Sequence, residues 1–163
     1  MLIRSEFIEY IKRVENGGKS GFDFNTSSWF PHTSPEGGND TIGYGHKLRD
    51  NEHWMKEGVS DAYVEDLLFK DIVFAAESAS EIVNEYPESD FEFIPQRSQE
   101  IFTDFVFNLG GGGFRKFPKL INATLSEDTE TMRNEYKRYY RNGYGELKEL
   151  EQRNSEFYKM FLT

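Results

Sequence analysis

The chain of 163 residues has no cysteine, and its 29 aspartates and glutamates outnumber its 19 lysines and arginines, which gives a formal net charge of −10. This length, with 16% aromatic residues, predicts a single domain that buries a sizeable core. The missing cysteines exclude disulfides and thiolate sites, and the acidic balance argues against a nucleic-acid partner.

The charge is uneven along the chain. Residues 114–163 hold 10 lysines and arginines against 8 acidic residues, whereas residues 1–113 hold 9 against 21. A basic C-terminal lobe would suit an anionic polymer lying across it, although solvated helix faces explain the same pattern. No apolar segment approaches the roughly 18 residues of a membrane span, and the N-terminus has no apolar signal region. We therefore expect no membrane insertion and no signal peptide.

The first predicted helix begins at Ser5 as N-cap, carries apolar residues at helical spacing, and ends at Asn16-Gly17-Gly18. Glu15 lies in its last turn, beside the negative end of the helix dipole. This field raises the pKa of a carboxyl group, as a general acid requires near neutral pH. By position alone, a surface glutamate in a charged turn is the commoner interpretation.

A glycine-rich segment over residues 36–46 follows an aromatic loop. Glycine weakens a packed strand unless the backbone bends or another chain approaches closely. Asn39-Asp40 is a turn signal between two short extended arms. We predict a small β-hairpin, the one β element of the chain, whose bare backbone is open to a ligand.

The remaining chain is predicted to be helical. Ser60 caps a helix that continues to about Asn84, and Asp71 falls on its apolar face, where His46 is the candidate partner because an unpaired buried charge is costly. The other predicted helices run from Pro95 to an abrupt end at Gly110–Gly113, from Pro118 to about Ala123, from Glu127 to Arg141, and from Glu146 to the C-terminus.

This order predicts an α+β, mostly α fold in one domain over residues 1–163. Its parts are a hairpin lobe at about 17–58, a linking helix at about 60–84, and a helical lobe at about 95–163 with the N-terminal helix packed on it.

Five segments occur in this order: Glu15, Thr41-Ile-Gly-Tyr-Gly-His46, Val59-Ser60-Asp61-Ala62 with Leu67-Leu68 and Asp71, Phe105-Val106-Phe107-Asn108-Leu109-Gly110 with Phe117 and Leu120, and Leu147, Leu150, Arg153 and Glu156. Together they resemble the phage-type lysozymes, the endolysin muramidases of glycoside hydrolase family 24. Asn154 stands where that family usually has a second arginine in its closing helix.

The resemblance implies a lysozyme-like fold, Glu15 as the catalytic acid, and Thr41 as the residue that helps to hold the attacking water. The family also has an aspartate a few residues before that threonine, and no carboxylate occupies the matching position here. The candidates for this second role are Glu36, His32 and Asp40. The other implied residues are Tyr44, Phe107, Asn108 and Gly110 for substrate binding, and His46, Asp71 and Arg153 for structural support, with Arg153 approaching Glu15.

The implied reaction is hydrolysis, with inversion, of the β-1,4 bond between N-acetylmuramic acid and N-acetylglucosamine in bacterial peptidoglycan. No cofactor or metal is implied, and a monomer is expected. The enzyme would be made in the host cytoplasm and would reach the periplasmic wall by holin-type release or as part of the virion.

Two other functions compete with this one. The missing aspartate suits a peptidoglycan-binding virion module of the same fold that has lost hydrolysis. A zinc-dependent amidase or peptidase would need ligands among His32, His46 and His53, without HExxH or cysteine, which is a thin ligand set.

Overall fold

The computed structural model describes residues 1–33 and 40–163. It divides into two compact units. Ile8–Asp71 form the first, here called the hairpin unit, and Met1–Phe7 with Ile72–Thr163 form the second, here called the helical unit. Both boundaries fall inside helices, so the first and second helices each contribute residues to both units.

Helices account for most of the described residues, as the α+β, mostly α prediction requires. Ser60 Oγ accepts a hydrogen bond of 3.1 Å from the Tyr63 amide, which confirms the predicted N-cap of the second helix. The helices are α1 (Ser5–Asn16), α2 (Asp61–Val83), α3 (Gln96–Phe114), α4 (Pro118–Leu125), α5 (Thr129–Glu135) and α6 (Glu151–Phe161), with a 3₁₀ helix at Asp50–Glu57.

Three small antiparallel sheets occur in the described residues, so the prediction of one hairpin as the only β element was wrong. Their orders are β1-β2-β6, β3-β4-β5 and β7-β8. A strand of two or three residues is stabilised by its partner strands and has too few residues for an alternating pattern. Such strands therefore cannot be recognised from the sequence. The strands are β1 (Phe22–Asp23), β2 (Ser28–Trp29), β3 (His32–Thr33), β4 (Asp40–Ile42), β5 (His46–Lys47), β6 (Val59–Ser60), β7 (Tyr139–Arg141) and β8 (Leu147–Glu149).

The predicted turn at Asn39-Asp40 also needs correction. Asp40 is a strand residue that pairs with Thr33 across β3 and β4, and Asn39 lies outside the described residues. The tight turn joins β4 to β5 at residues 43–45, where Gly43 and Gly45 have φ of +61° and +85°. These values favour glycine because other residues have a Cβ that clashes in the left-handed region.

Three helix predictions in the helical unit were also wrong in part. α3 does not end at Gly110 but bends there, with φ 69° and ψ 169°, and resumes to Phe114. The helix predicted over 127–141 is shorter, since α5 ends at Glu135 and β7 follows it, and the helix predicted from 146 begins later, since β8 precedes α6. The turn between β7 and β8 is held by Asn142, whose Oδ1 accepts hydrogen bonds from the Tyr144 and Glu146 amides.

Each unit has its own buried core. In the hairpin unit Trp29 is fully buried, donates from Nε1 to Asp61 Oδ1 at 2.8 Å, and packs on Tyr44. In the helical unit, Phe105 lies at the centre of an aromatic cluster. The other rings of that cluster include Phe102, Phe114, Phe117, Phe157 and Phe161.

Candidate active site

Glu15 lies half-buried in the last turn of α1, where the sequence predicts it. The next residue, Asn16, joins the helix end to the β4–β5 turn. Its Nδ2 donates to the carbonyl oxygens of Gly43 at 2.9 Å and Ser20 at 3.0 Å, and its Oδ1 accepts from the Ser20 amide at 2.8 Å. Three hydrogen bonds from one side chain thus fix the segment that carries the glutamate.

The β4–β5 turn lies against the Glu15 carboxyl group. A Cβ atom added to Gly45 would be 2.8 Å from Glu15 Oε2, although Gly45 itself is exposed. A Cβ on Gly43 would be 2.4 Å from Val64 Cγ1 of α2. Because glycine has no Cβ, the turn fits between α2 and the Glu15 carboxyl group. The exposed backbone of Gly45 lies beside that carboxyl group.

Thr41 and His32 are direct cross-strand partners on β4 and β3. Thr41 is buried, and its Oγ1 lies 3.3 Å from His32 Nε2 and 3.2 Å from the His32 carbonyl oxygen. The buried Nδ1 of His32 has no hydrogen-bond partner within residues 1–33 and 40–163. This pair therefore presents a hydroxyl group and an imidazole side by side.

The structure separates the three candidates for the second polar role. It brings His32 to Thr41. Asp40 is exposed, and as the strand neighbour of Thr41 its side chain points to the other face of β4. Glu36 lies outside the described residues.

His46 is buried between two carboxylates. Its Nδ1 lies 2.8 Å from Asp71 Oδ2, the partner predicted from the sequence, and its Nε2 lies 3.0 Å from Glu52 Oε2. Burial opposes protonation of the imidazole, but the bonds to Asp71 and Glu52 outweigh it and raise the pKa of His46. For Glu52, burial is outweighed by the Arg49 amide and His46, which lower its pKa. The network connects β5, the 3₁₀ helix and α2.

A family model described as phage lysozyme matches residues 28–156, most of the chain. The chain belongs to the phage lysozyme family. The match includes Thr41, His46 and Asp71 but begins after Glu15. Membership of this family supports a peptidoglycan hydrolase.

Among solved structures, the muramidase domain of SpmX from Asticaccaulis excentricus superposes on this lysozyme-family chain with a TM-score of 0.63. The two are 20% identical, and the alignment covers 99% of this chain and 98% of that one. At this identity the likeness shows a shared fold, which confirms the lysozyme-like architecture. No curated protein sequence matches the chain.

Tyr44, predicted to bind substrate, is buried in the hairpin unit. Only 6% of its surface is exposed, its ring centroid lies 5.2 Å from that of Trp29, and Lys12 Nζ lies 5.6 Å from the centroid of the Tyr44 ring. Burial raises the pKa of its hydroxyl group. The ring thus contributes to the core under the β4–β5 turn, and its contact with substrate stays a prediction.

The other predicted substrate residues belong to the helical unit. Phe107 and Asn108 are half-buried on α3, and Asn108 Oδ1 has no hydrogen-bond partner in the described part of the chain. Gly110 is exposed at the bend of α3, and a Cβ added there would meet nothing within 4 Å. Their binding roles stay predictions.

Arg153 takes part in a buried ion cluster of the helical unit. Its Nη2 lies 2.6 Å from Asp104 Oδ1, and Nη1 of the fully buried Arg138 lies 2.8 Å from Asp104 Oδ2. The Arg138 guanidinium also lies 4.2 Å from the Phe105 ring centroid. Burial would raise the pKa of Asp104, but the two arginines lower it. Support of Glu15 by Arg153 stays a prediction.

Sequence reasoning missed several residues of these networks. Asp104 falls among the apolar residues of α3 and could have been noticed as a charge on a buried face. Asn16 was interpreted only as a helix stop. Glu52 and Arg138 carry no local signal, because their partners are defined by tertiary contacts.

Proposed function

We propose that this chain hydrolyses the β-1,4 bond between N-acetylmuramic acid and N-acetylglucosamine in bacterial peptidoglycan. Membership of the phage lysozyme family supports the substrate class. The observation that carries the proposal is the contact of the Glu15 carboxyl group with the exposed backbone of Gly45, in the same unit as Thr41. A carboxyl group beside open backbone is suited to donate a proton to a bound glycan.

In the proposed reaction, Glu15 donates its proton to the glycosidic oxygen as the bond from that oxygen to C1 breaks. Water held by Thr41 Oγ1 attacks C1 from the opposite face, and His32 Nε2 accepts the proton that the water releases. Attack from the face opposite to the leaving group inverts the configuration at C1. The retaining pathway uses a carboxylate as its nucleophile, and a threonine hydroxyl is unsuited to that role.

The test uses purified peptidoglycan and compares the wild type with Glu15→Gln. Glu9→Gln is the matched control, because Glu9 lies on the same helix but forms an exposed pair with Lys12. Reducing ends from the wild type and Glu9→Gln, with none from Glu15→Gln, would support the proposal. Release of free amines in place of reducing ends would identify an amidase or peptidase instead.

A second candidate is a peptidoglycan-binding module without hydrolysis. It is favoured by one observation, that the side chain beside Thr41 is an imidazole where the family resemblance leads us to expect a carboxylate. Binding to insoluble peptidoglycan by the wild type, without reducing ends, would identify it. If the wild type does release reducing ends, Glu36→Gln tests whether that carboxylate fills the missing role.

The proposed setting is phage-mediated host lysis or wall penetration, by a monomer released through a holin-type pore or carried in the virion. The helices within residues 1–33 and 40–163 include none that is both long and apolar enough to span a bilayer. In the same residues no cluster of three or more metal-ligating side chains occurs. Of the three histidines weighed as zinc ligands, His32 lies beside Thr41 and His46 lies between Asp71 and Glu52.

A further inference from the structure

Asn16 lies where three segments of the hairpin unit meet, which are the end of α1, the loop at 17–21 and the β4–β5 turn. Its Nδ2 donates to the carbonyl oxygens of Ser20 and Gly43, and its Oδ1 accepts from the Ser20 amide. Only an amide side chain carries two N–H donors on one atom and an acceptor beside it. Asn16 therefore joins the three segments through a set of bonds that other residue types cannot form.

Through Gly43, Asn16 holds the β4–β5 turn against the proposed acid. Glu15 precedes Asn16 in the chain, and a Cβ added to Gly45 would be 2.8 Å from the Oε2 atom of Glu15. The turn is thus joined to the end of α1 twice, by the bond of 2.9 Å from Asn16 to Gly43 and by the packing of Gly45 on the carboxyl group. Loss of the Asn16 bond leaves only the packing contact.

Through Ser20, the same side chain holds the loop that packs on the proposed base. Gly21 follows Ser20 with φ of +84°, and a Cβ added to Gly21 would be 3.0 Å from His32 Nδ1. The Gly21 carbonyl oxygen also accepts a hydrogen bond of 2.8 Å from the amide of Phe30, on the segment that leads to His32. The backbone of this loop therefore packs directly against the imidazole ring.

We propose that Asn16 is a positioning residue that fixes the acid Glu15 relative to the base His32. The inference rests on the proposed function, which assigns those two roles. In an inverting hydrolysis the two groups act on opposite faces of the sugar, and their separation must leave room for one water molecule. A displacement of about 1 Å can lower the rate about 100-fold. One side chain that holds both the turn beside Glu15 and the loop beside His32 controls this separation.

The first test replaces Asn16 in the otherwise wild-type enzyme. Asn16→Ala removes all three hydrogen bonds. It should lower kcat on purified peptidoglycan by about 100-fold with little change in KM, because alignment rather than substrate binding is lost.

Asn16→Asp separates the donor bonds from packing. It keeps the shape of the side chain and its acceptor, but a carboxylate cannot donate to the two carbonyl oxygens. We expect a lower kcat in this variant as well. The alkaline limb of its pH–kcat profile should also move to higher pH, since a second carboxylate beside Glu15 disfavours ionisation of the acid.

Asn84→Ala is the matched control, in the helical unit. Asn84 follows the end of α2, and its side chain also holds the next loop. Its Oδ1 accepts from the Phe91 amide at 2.8 Å, and its Nδ2 donates to Ser80 Oγ at 3.4 Å. Its replacement should keep the kcat and the pH profile of the wild type. Thermal unfolding of every variant shows whether a loss of activity reflects a loss of folded protein.

Two NMR measurements test the positions of the segments without catalysis. Amide exchange at Ser20 and at residues 43–45 should be about tenfold faster in Asn16→Ala, as expected for the loss of one hydrogen bond. In Asn16→Asp, exchange at Ser20 should match the wild type because the acceptor remains, whereas exchange at residues 43–45 should rise. The imidazole signals of His32 should shift in Asn16→Ala, and those of the exposed His53 should not.

Three results would each overturn the inference: wild-type kcat in Asn16→Ala, equal losses in Asn16→Ala and Asn84→Ala, or unchanged amide exchange and His32 signals in Asn16→Ala. Failure of the proposed hydrolysis is distinguishable from all three. A wild type that releases no reducing ends would refute the roles of Glu15 and His32 in the reaction. Amide exchange and the imidazole signals would then decide by themselves whether Asn16 holds the turn and the loop in place.

Discussion

His32 Nε2 and Thr41 Oγ1 lie 3.3 Å apart on directly opposed residues of β3 and β4. The pairing places an imidazole beside the threonine to which the family resemblance assigns the attacking water. In the proposed mechanism this pair holds the attacking water and accepts its proton, without a second carboxylate.

The first prediction concerns the imidazole. His32→Ala should lower kcat by about 100-fold, the lower end of the range for losing a general base. His32→Asp should retain more activity than His32→Ala, because it returns a proton acceptor beside Thr41. Reducing-end assays check both, and His53→Ala is the control since His53 is an exposed histidine. Equal activity of His32→Ala and wild type would remove His32 from the mechanism.

The second prediction concerns the contact of Gly45 with Glu15. Gly45→Ala should cost about 1–2 kcal/mol of stability from its left-handed backbone. It should also lower kcat by about 100-fold, because the new Cβ displaces a carboxyl group at the far end of a flexible side chain.

Gly145→Ala is its matched control, with φ +78° and nothing within 4 Å of the added Cβ. It should show the same loss of stability and keep its activity. Thermal unfolding and reducing-end assays check both variants. Parallel activity losses in the two would mean that backbone strain, rather than the carboxyl group, is responsible.

The third prediction is a pH dependence of stability at His46. Its folded pKa is raised above 6.5, so its stabilising contribution is complete below that value and is lost as pH rises through the folded pKa. Glu52 has a folded pKa below 4.5, and its contribution is lost as pH falls through that lower value.

The difference in unfolding free energy between wild type and His46→Gln should therefore be largest at about pH 5.5 and smaller at about pH 9. Chemical denaturation at several pH values measures it. His53→Gln, at an exposed position, should show no such trend. A difference that stays constant across this range would show that the imidazole acts only by packing.

The fourth prediction concerns Asp104. Asp104→Asn leaves two buried arginines without their carboxylate and should cost about 3–5 kcal/mol of stability, as removal of one partner of a buried ion pair does. The control is Glu85→Gln, which removes the carboxylate from an exposed pair with Arg115 and should change stability little. Denaturant titration distinguishes them, and similar small losses in both would contradict a structural role for the cluster.

Local patterns in the sequence determined the parts of the fold whose causes lie within a few residues. The spacing of apolar residues and the Asn16-Gly17-Gly18 stop predicted α1 and the position of Glu15 at its end. Ser60 and the long stripe after it predicted α2, which is confirmed over Asp61–Val83. A helix forms its hydrogen bonds within one turn, so its start and end are encoded locally.

Some of the candidate site was also predictable, because a charge on an apolar face requires a partner. Asp71 lies on the apolar face of α2, and His46 was predicted as its partner. The two side chains are hydrogen-bonded. The same rule applied to α3 would have found Asp104. It could not have named Arg138 and Arg153, because the residues that neutralise a buried charge are chosen by the packing around it.

Tertiary structure alone decided the short strands and the pairs that they bring together. Thr41 and His32 lie 9 residues apart, and Arg153 and Asp104 lie 49 apart. β7 replaced the end of one predicted helix and β8 the start of the next, because Asn142 holds their turn and Asn154 bonds to the backbone of Arg138. Strand pairing and buried ion pairs draw their free energy from distant partners, so the fold had to form before these contacts could be assigned.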